Sequence, residues 1–314
     1  MKNKILITGA CGFIGTKLTK SLLAKNKKII AVDTQWFGNY LKKNKNLKIL
    51  KIDIRDLNDK HFKNVNTIIH LASISNDPSS ELNPKLSWEV GPLATYNILN
   101  LAKKNKIENF FYASSGSVYG ISKKRKVTEK HSLLPVSDYN KQKMVTEKIV
   151  ESFSSFFRTV IIRPATVCGV SERLRLDVTV NILSYQAYKN KIIKVFGGSQ
   201  IRPNIHIDDM VNVYNFLLDN KKISGIFNVG FENLSVMKIA KMIQKKTNCK
   251  IRILKSNDPR SYRVSSEKII EAGFKRKKSV SHAISELLNY FQKNKYLLTS
   301  KNINVKHLKK NIIL

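Results

Sequence analysis

Residues Thr8 to Gly15 read TGACGFIG. Gly9, Gly12 and Gly15 fall at intervals of three between an apolar run, Lys4-Ile5-Leu6-Ile7, and a stretch in which Ile14, Leu18 and Leu22 recur every four residues. A strand, a glycine turn and a helix in that order leave few folds open. The glycines let the backbone turn tightly and approach a pyrophosphate, the helix N-terminus offers unpaired N–H groups to the anion, and the last glycine lets helix and strand pack closely. Asp33 follows 18 residues after Gly15, at the end of the next apolar run. A carboxylate there accepts hydrogen bonds from a ribose 2′-OH and repels a 2′-phosphate, so these residues point to NAD over NADP. The residues read as holding it are Gly9, Cys11, Gly12, Phe13, Ile14, Gly15 and Asp33.

The pattern continues. Ile29-Ile30-Ala31-Val32, Leu47 to Ile52, Thr67 to Leu71, Phe110-Phe111-Tyr112 and Val160-Ile161-Ile162 are further apolar runs, continuous as in strands covered on both faces. Amphipathic stretches separate them, with Val145, Ile149 and Phe153 on one face of one helix and Leu93, Asn97 and Leu101 on one face of another. After Gly169 the alternation loosens, and Ile226-Phe227-Asn228-Val229 reads as a seventh strand returning to the sheet. The expected fold is α/β: a Rossmann-type doubly wound parallel sheet with a smaller C-terminal substrate-binding lobe. The expected division is an NAD-binding domain over 1–169 with 204–230 returning to it, a lobe from 170–203 and 231–292, and a tail over 293–314. That tail, rich in Lys and Asn, is the segment expected to be least ordered.

Composition excludes several classes. With 42% apolar residues, 14 Phe and 11 Tyr, the 314-residue chain has the material for a core and is neither disordered nor fibrous. Cys11, Cys168 and Cys249 are odd in number and far apart, so no disulfide framework or Cys-x-x-Cys motif can be written, and a reducing compartment fits. No apolar run approaches the roughly 18 residues of a spanning helix, so a cytoplasmic protein without a membrane partner is expected. The net charge of +35 comes from 46 Lys against only 11 Arg, spread along the chain beside 30 Asn and 35 Ile. A coding bias toward Lys, Asn and Ile explains that better than a nucleic-acid partner, which leans on clustered arginine.

Further motifs arrive in a fixed order: Asp53-Ile54-Arg55-Asp56, His70-Leu71-Ala72, SSGSVYG from Ser114 to Gly120, Tyr139-Asn140-Lys141-Gln142-Lys143, Arg163-Pro164 and Arg202-Pro203-Asn204-Ile205-His206-Ile207-Asp208-Asp209. Over roughly residues 4–290 the chain resembles the extended short-chain dehydrogenase/reductases, in particular the nucleotide-sugar epimerases and dehydratases. The resemblance implies Ser115, Tyr139 and Lys143 as the catalytic set, with Tyr139 and Lys143 also touching NAD. It implies that Asp53 holds the adenine amine and that Ile54, Leu71 and Ala72 wall the cofactor. On the substrate side it implies Ser115 and Ser117 at the sugar, Arg202 and Arg260 on the diphosphate, and Asn181 facing the same ligand. A nucleotide-diphosphate sugar is the implied partner, in a homodimer. His70 and His206 read as structural, and no metal is expected.

The residue types suit the chemistry. Tyr139 and Lys143, four apart, share a helix face, so the ammonium can stand close to the phenol. A tyrosine near 10 must fall by about 3 units to act as a base at neutrality, roughly 4 kcal/mol, which a lysine and the positive nicotinamide ring could jointly supply. Two departures bear on the substrate: Val90-Gly91-Pro92 and Thr166 stand where the family commonly has an Asn. A third bears on the reaction, because 4,6-dehydratases carry Asp-Glu where this chain has Gly116-Ser117. An epimerase passing through a transient keto-sugar is the expectation. Its rivals are a keto-sugar-nucleotide reductase or dehydrogenase, a 4,6-dehydratase, and a non-catalytic dinucleotide- or RNA-binding protein on the same scaffold.

Overall fold

The computed structural model describes residues 2–122, 124, 126–256 and 261–311. Its strands are β1 (Lys4–Thr8), β2 (Lys28–Asp33), β3 (Leu47–Lys51), β4 (Val65–His70), β5 (Asn109–Ala113), β6 (Arg158–Pro164), β7 (Thr166–Cys168), β8 (Ile192–Phe196), β9 (Ile201–His206), β10 (Gly225–Val229), β11 (Glu232–Ser235) and β12 (Lys250–Leu254). Seven of them form one parallel sheet in the order β10-β6-β5-β4-β1-β2-β3.

Successive side chains of these strands enter opposite cores, which is why their sequences are apolar without alternation. Ile5 and Ile7 of β1, with Ile29 and Ala31 of β2, pack with Leu18 and Leu22 of the helix Phe13–Ala24 and with Val213 and Leu217 of the helix Ile207–Asp219. Leu6, Ile30 and Val32 pack on the other side with Ile98 and Leu99 of the helix Ala94–Lys104 and Val150 of the helix Asp138–Ser152. From β1 the chain moves one way to β2 and β3, then returns to β4 on the opposite flank. The crevice beyond the carboxyl ends of β1 and β4 is therefore the switch point where such sheets bind ligands.

One expected helix face is turned. Leu93 and Asn97 are exposed, and Thr95, Ile98, Leu99 and Ala102 are buried instead. Leu93 belongs to the preceding π-helical turn, Glu89–Leu93, which contains Pro92, so counting in fours from it selects the wrong stripe. The helix Asp138–Ser152 differs more. It buries Asn140, Gln142, Lys143, Thr146 and Glu147, while Val145 and Ile149 are only half-buried.

Beyond Gly169, the helices Thr179–Asn190, Val236–Thr247 and Val280–Lys293 enclose a separate apolar core with the parallel pair β8–β12. A small sheet, β11-β9-β7, joins the two: Val167 and Ile205 pack in a core of the main sheet and Cys168 in the separate one. The segment expected to be least ordered is packed. Asn302 Nδ2 donates to Leu174 O at 3.0 Å and Leu176 N donates to Asn302 O at 2.8 Å. In the helix Asn304–Asn311, His307 Nε2 lies 2.8 Å from Trp36 O and Leu308 is buried. Asparagine-rich composition here means specific backbone hydrogen bonds, not disorder.

Candidate active site

A cavity of about 460 Å³ opens at the switch point. The glycine turn forms its floor. Gly9 has φ +68°, and a Cβ there would lie 2.8 Å from Ala72 N; at Gly15 it would lie 2.1 Å from Gly9 O. Neither position admits another residue. Gly12 caps the helix Phe13–Ala24 without a side-chain hydrogen bond, leaving that N-terminus to a ligand. Asp33 is locked to the turn, its Oδ2 accepting Cys11 N–H at 2.9 Å and its Oδ1 accepting Gln35 N–H at 2.7 Å. Burial pushes its carboxyl above the ordinary range, and those two N–H groups pull it back. This cradle of bare backbone, uncapped helix end and held carboxylate fits a dinucleotide diphosphate with its ribose.

Gly9, Gly12, Phe13, Ile14, Gly15, Asp33, Asp53, Ile54, Leu71 and Ala72 all line the cavity. Cys11 is buried beneath the turn instead and acts through its backbone N–H. The Asp53 carboxylate is engaged by Arg55, whose Nη2 is 3.0 Å away and whose Nη1 reaches Glu89 at 2.8 Å.

Ser115, Ser117, Tyr139 and Lys143 line the far part of the same cavity. Ser115, two residues beyond β5, is the cap of the turn Gly116–Tyr119, and its Oγ lies 2.7 Å from Ser117 Oγ, which donates to Asn140 Oδ1 at 2.5 Å. Lys143 Nζ donates to Ala113 O at 2.8 Å and stands 5.9 Å from the centroid of the Tyr139 ring. Burial pulls this lysine down to about 7, opposed by Glu147. Tyr139 is pushed up to about 12 by burial; Arg175 and a hydrogen bond from Ser115 act against the rise, and Asp77 adds to it. The largest opposing charge is thus Arg175, where the sequence pointed to Lys143.

Arg175 was not legible in the sequence. Its Nε donates to Asp177 Oδ1 at 2.6 Å, and both residues line the cavity with Ser75, Asn76 and Asp77. A second group supports the helix Asp138–Ser152. Arg163 Nη2 pairs with Glu147 Oε2 at 2.6 Å, and Arg163 Nη1 donates at 2.6 Å to Tyr119 Oη, which donates to Asn228 Oδ1 at 2.7 Å. A carboxylate at position i+4 from Lys143, buried on the same face, was the available signal.

Arg202 lines the same cavity, and Arg260 lies outside the described residues. Asn181 is not among the residues lining the cavity. It is buried, its Oδ1 accepting Gly169 N–H at 3.0 Å and its Nδ2 donating to Arg175 O at 2.8 Å, so it shapes the turn that presents Arg175. His70 bridges Thr8 Oγ1 at 2.7 Å and Thr95 Oγ1 at 3.0 Å, held down to about 3 by burial. His206, Asp208 and Glu286 come within ligand distance of one another, but Lys278 Nζ sits 2.6 Å from both carboxylates. Among the described residues no helix is long and apolar enough to cross a membrane.

The chain is similar to known proteins over most of its length. The chain is 34% identical over 269 residues to the uncharacterized UDP-glucose epimerase YtcB of Bacillus subtilis, covering 77% of this chain and 81% of that one. It is 26% identical over 322 residues to the human dTDP-D-glucose 4,6-dehydratase, covering 93% and 90%. The structure of UDP-glucuronic acid 4-epimerase from Bacillus cereus, in complex with UDP-glucuronic acid and NAD, superimposes with a TM-score of 0.83 at 25% identity, covering 93% of this chain and 99% of that one. Residues 5–230 match the NAD dependent epimerase/dehydratase family, and the chain belongs to that family, with NAD as its cofactor.

Proposed function

We propose that the protein is an NAD-dependent nucleotide-sugar epimerase, inverting a hydroxyl carbon, most simply C4, through a transient keto-sugar. The observation that carries this reading is a cavity holding Ser115, Tyr139 and Lys143 beside the glycine cradle, with Gly116-Ser117 where a dehydratase needs carboxylates. Bound NAD would supply a reversible hydride acceptor for the sugar carbon, and its positive ring would favour the phenolate.

Tyr139 takes the hydroxyl proton at its Oη as the carbonyl forms and gives it back from the same atom. Ser115 orients the sugar oxygen. Lys143, fixed by Ala113 O, holds positive charge near the phenol. Asp33 and Asp53 would receive the adenosine end, and Arg202 and Arg260 the substrate diphosphate, with residues 170–203 and 231–292 as the substrate lobe.

The same proposal includes a homodimer in the cytoplasm without a nucleic-acid partner. Tyr96, half exposed on its helix, lies 6.1 Å from the Phe153 ring, itself 6.0 Å from exposed Phe156, an apolar strip that a second copy would cover. Sedimentation of the native protein and of Tyr96→Glu tests that.

The reaction is tested by incubating purified protein with UDP-, dTDP-, CDP- and GDP-sugars without added reductant and following stereochemistry by NMR. Interconversion of epimers is expected. A 4-keto-6-deoxy product would make it a dehydratase, and turnover strictly proportional to added NADH a reductase.

A further inference from the structure

Arg173 is buried, and its Nε and Nη1 have no hydrogen-bond partner. Its orientation is nonetheless fixed: Nη2 donates to Asn304 Oδ1 at 2.5 Å, and the guanidinium carbon lies 4.2 Å from the centroid of the Phe37 ring. Nearby carboxylates have other partners. Asp33 accepts from Cys11 and Gln35, and Asp177 accepts from Arg175, Asn76 and Asn304. A buried cation with orphaned donors is strongly unfavourable unless something completes it.

The surroundings identify what completes it. Arg173 lines the cavity floored by Gly12, Phe13 and Ile14. Ser171 Oγ donates to Phe13 O at 2.9 Å, and Lys17 Nζ donates to Val170 O at 3.0 Å. Residues 170–173 are thus fastened to the first turns of the helix whose uncapped N-terminus opens into the cavity. We propose that Arg173 binds the diphosphate of NAD, closing from the lobe the anion site that the glycine turn opens from the sheet. Asn304, from the C-terminal helix, holds the guanidinium in place for it. This rests on NAD as the cofactor and not on the sugar, so it stands or falls separately from the epimerase assignment.

The test is binding, read without turnover. NADH fluorescence titration of full-length protein gives the NADH affinity, and displacement gives those of ADP, adenosine and UDP. Arg173→Gln is expected to weaken NADH and ADP by about 10–100-fold, as loss of charge-assisted hydrogen bonds does, and adenosine by less than about threefold. Thermal melting without ligand checks the fold; should Arg173→Gln not fold, Arg173→Lys is measured in the same way, with the same order of losses at smaller size. Unchanged NADH and ADP affinity overturns the proposal. Equal weakening of NADH, ADP and adenosine overturns it in favour of a structural role, and weakening of UDP alone moves the guanidinium to the substrate phosphates.

Discussion

Lys143 and Glu147 stand one turn apart on the buried side of the helix Asp138–Ser152, yet they do not pair: Lys143 Nζ donates to Ala113 O at 2.8 Å, while Glu147 binds Arg163 at 2.6 Å. The carboxylate supports the ammonium at a distance without capturing it. That leaves Lys143 available to the phenol, at the expense of a buried charge.

That expense has a pH dependence. Lys143 is lowered from 10.5 to about 7 by burial, so between those values the unfolded chain holds the extra proton and stability rises with pH. The penalty is full below pH 7 and gone near 10.5. Lys143→Met should therefore melt at a higher temperature than the native protein at pH 6 and lose that advantage by pH 10. A constant difference across that range would refute the buried-ammonium account.

Tyr139→Phe should lose about 10²–10⁴-fold in rate. NADH affinity should stay within about threefold, because the missing hydroxyl carries a proton and little of the cavity wall. Retention of more than half the turnover would remove Tyr139 from the role of base.

Asp33→Asn tests the preference for NAD. NADP should gain relative to NAD once the charge facing a 2′-phosphate is gone. Stability should also fall by about 1–3 kcal/mol, because the carboxylate accepts the N–H groups of Cys11 and Gln35. Equal affinity for both cofactors in the unmutated protein would show that Asp33 does not read the ribose.

Glu147→Gln breaks a buried pair and strands Arg163, which also serves Tyr119. A loss of about 3–5 kcal/mol is expected in urea unfolding. A loss below about 1 kcal/mol would place this pair among weak surface bridges.

His70 governs the acid limb. Its imidazole is lowered from 6.5 to about 3 by burial between Thr8 and Thr95. Its contribution is intact above pH 6.5 and is lost as pH falls toward 3. His70→Gln should flatten the stability profile in that window by up to about 1.4 kcal/mol per pH unit. An unchanged acid slope would mean that other groups set it.

The main sheet was legible because Ile5-Leu6-Ile7 and its counterparts are apolar on both faces, a pattern that a parallel sheet buried under helices requires. The glycine turn was legible because its spacing serves one backbone geometry. Asn181 misled, since an amide suits a ligand and a Gly169 turn equally well. Arg173 and Arg175 carry no periodicity, and only the path of residues 170–177 against Phe13 and Asn304 brings them into the cavity. The buried face of the helix Asp138–Ser152 was hidden because most of its inward residues, from Asn140 to Glu147, are polar.

The contacts of His307 with Trp36 and of Asn304 with Ser75 join positions separated by 271 and 229 residues. Chains grow from the N-terminus, and domains fold as they emerge. The nucleotide-binding half can therefore assemble on the ribosome while its cavity still lacks a wall. Only when residue 308 is free of the exit tunnel can Leu308 seat itself in the core beside Phe37, so this wall closes over a sheet that has already formed.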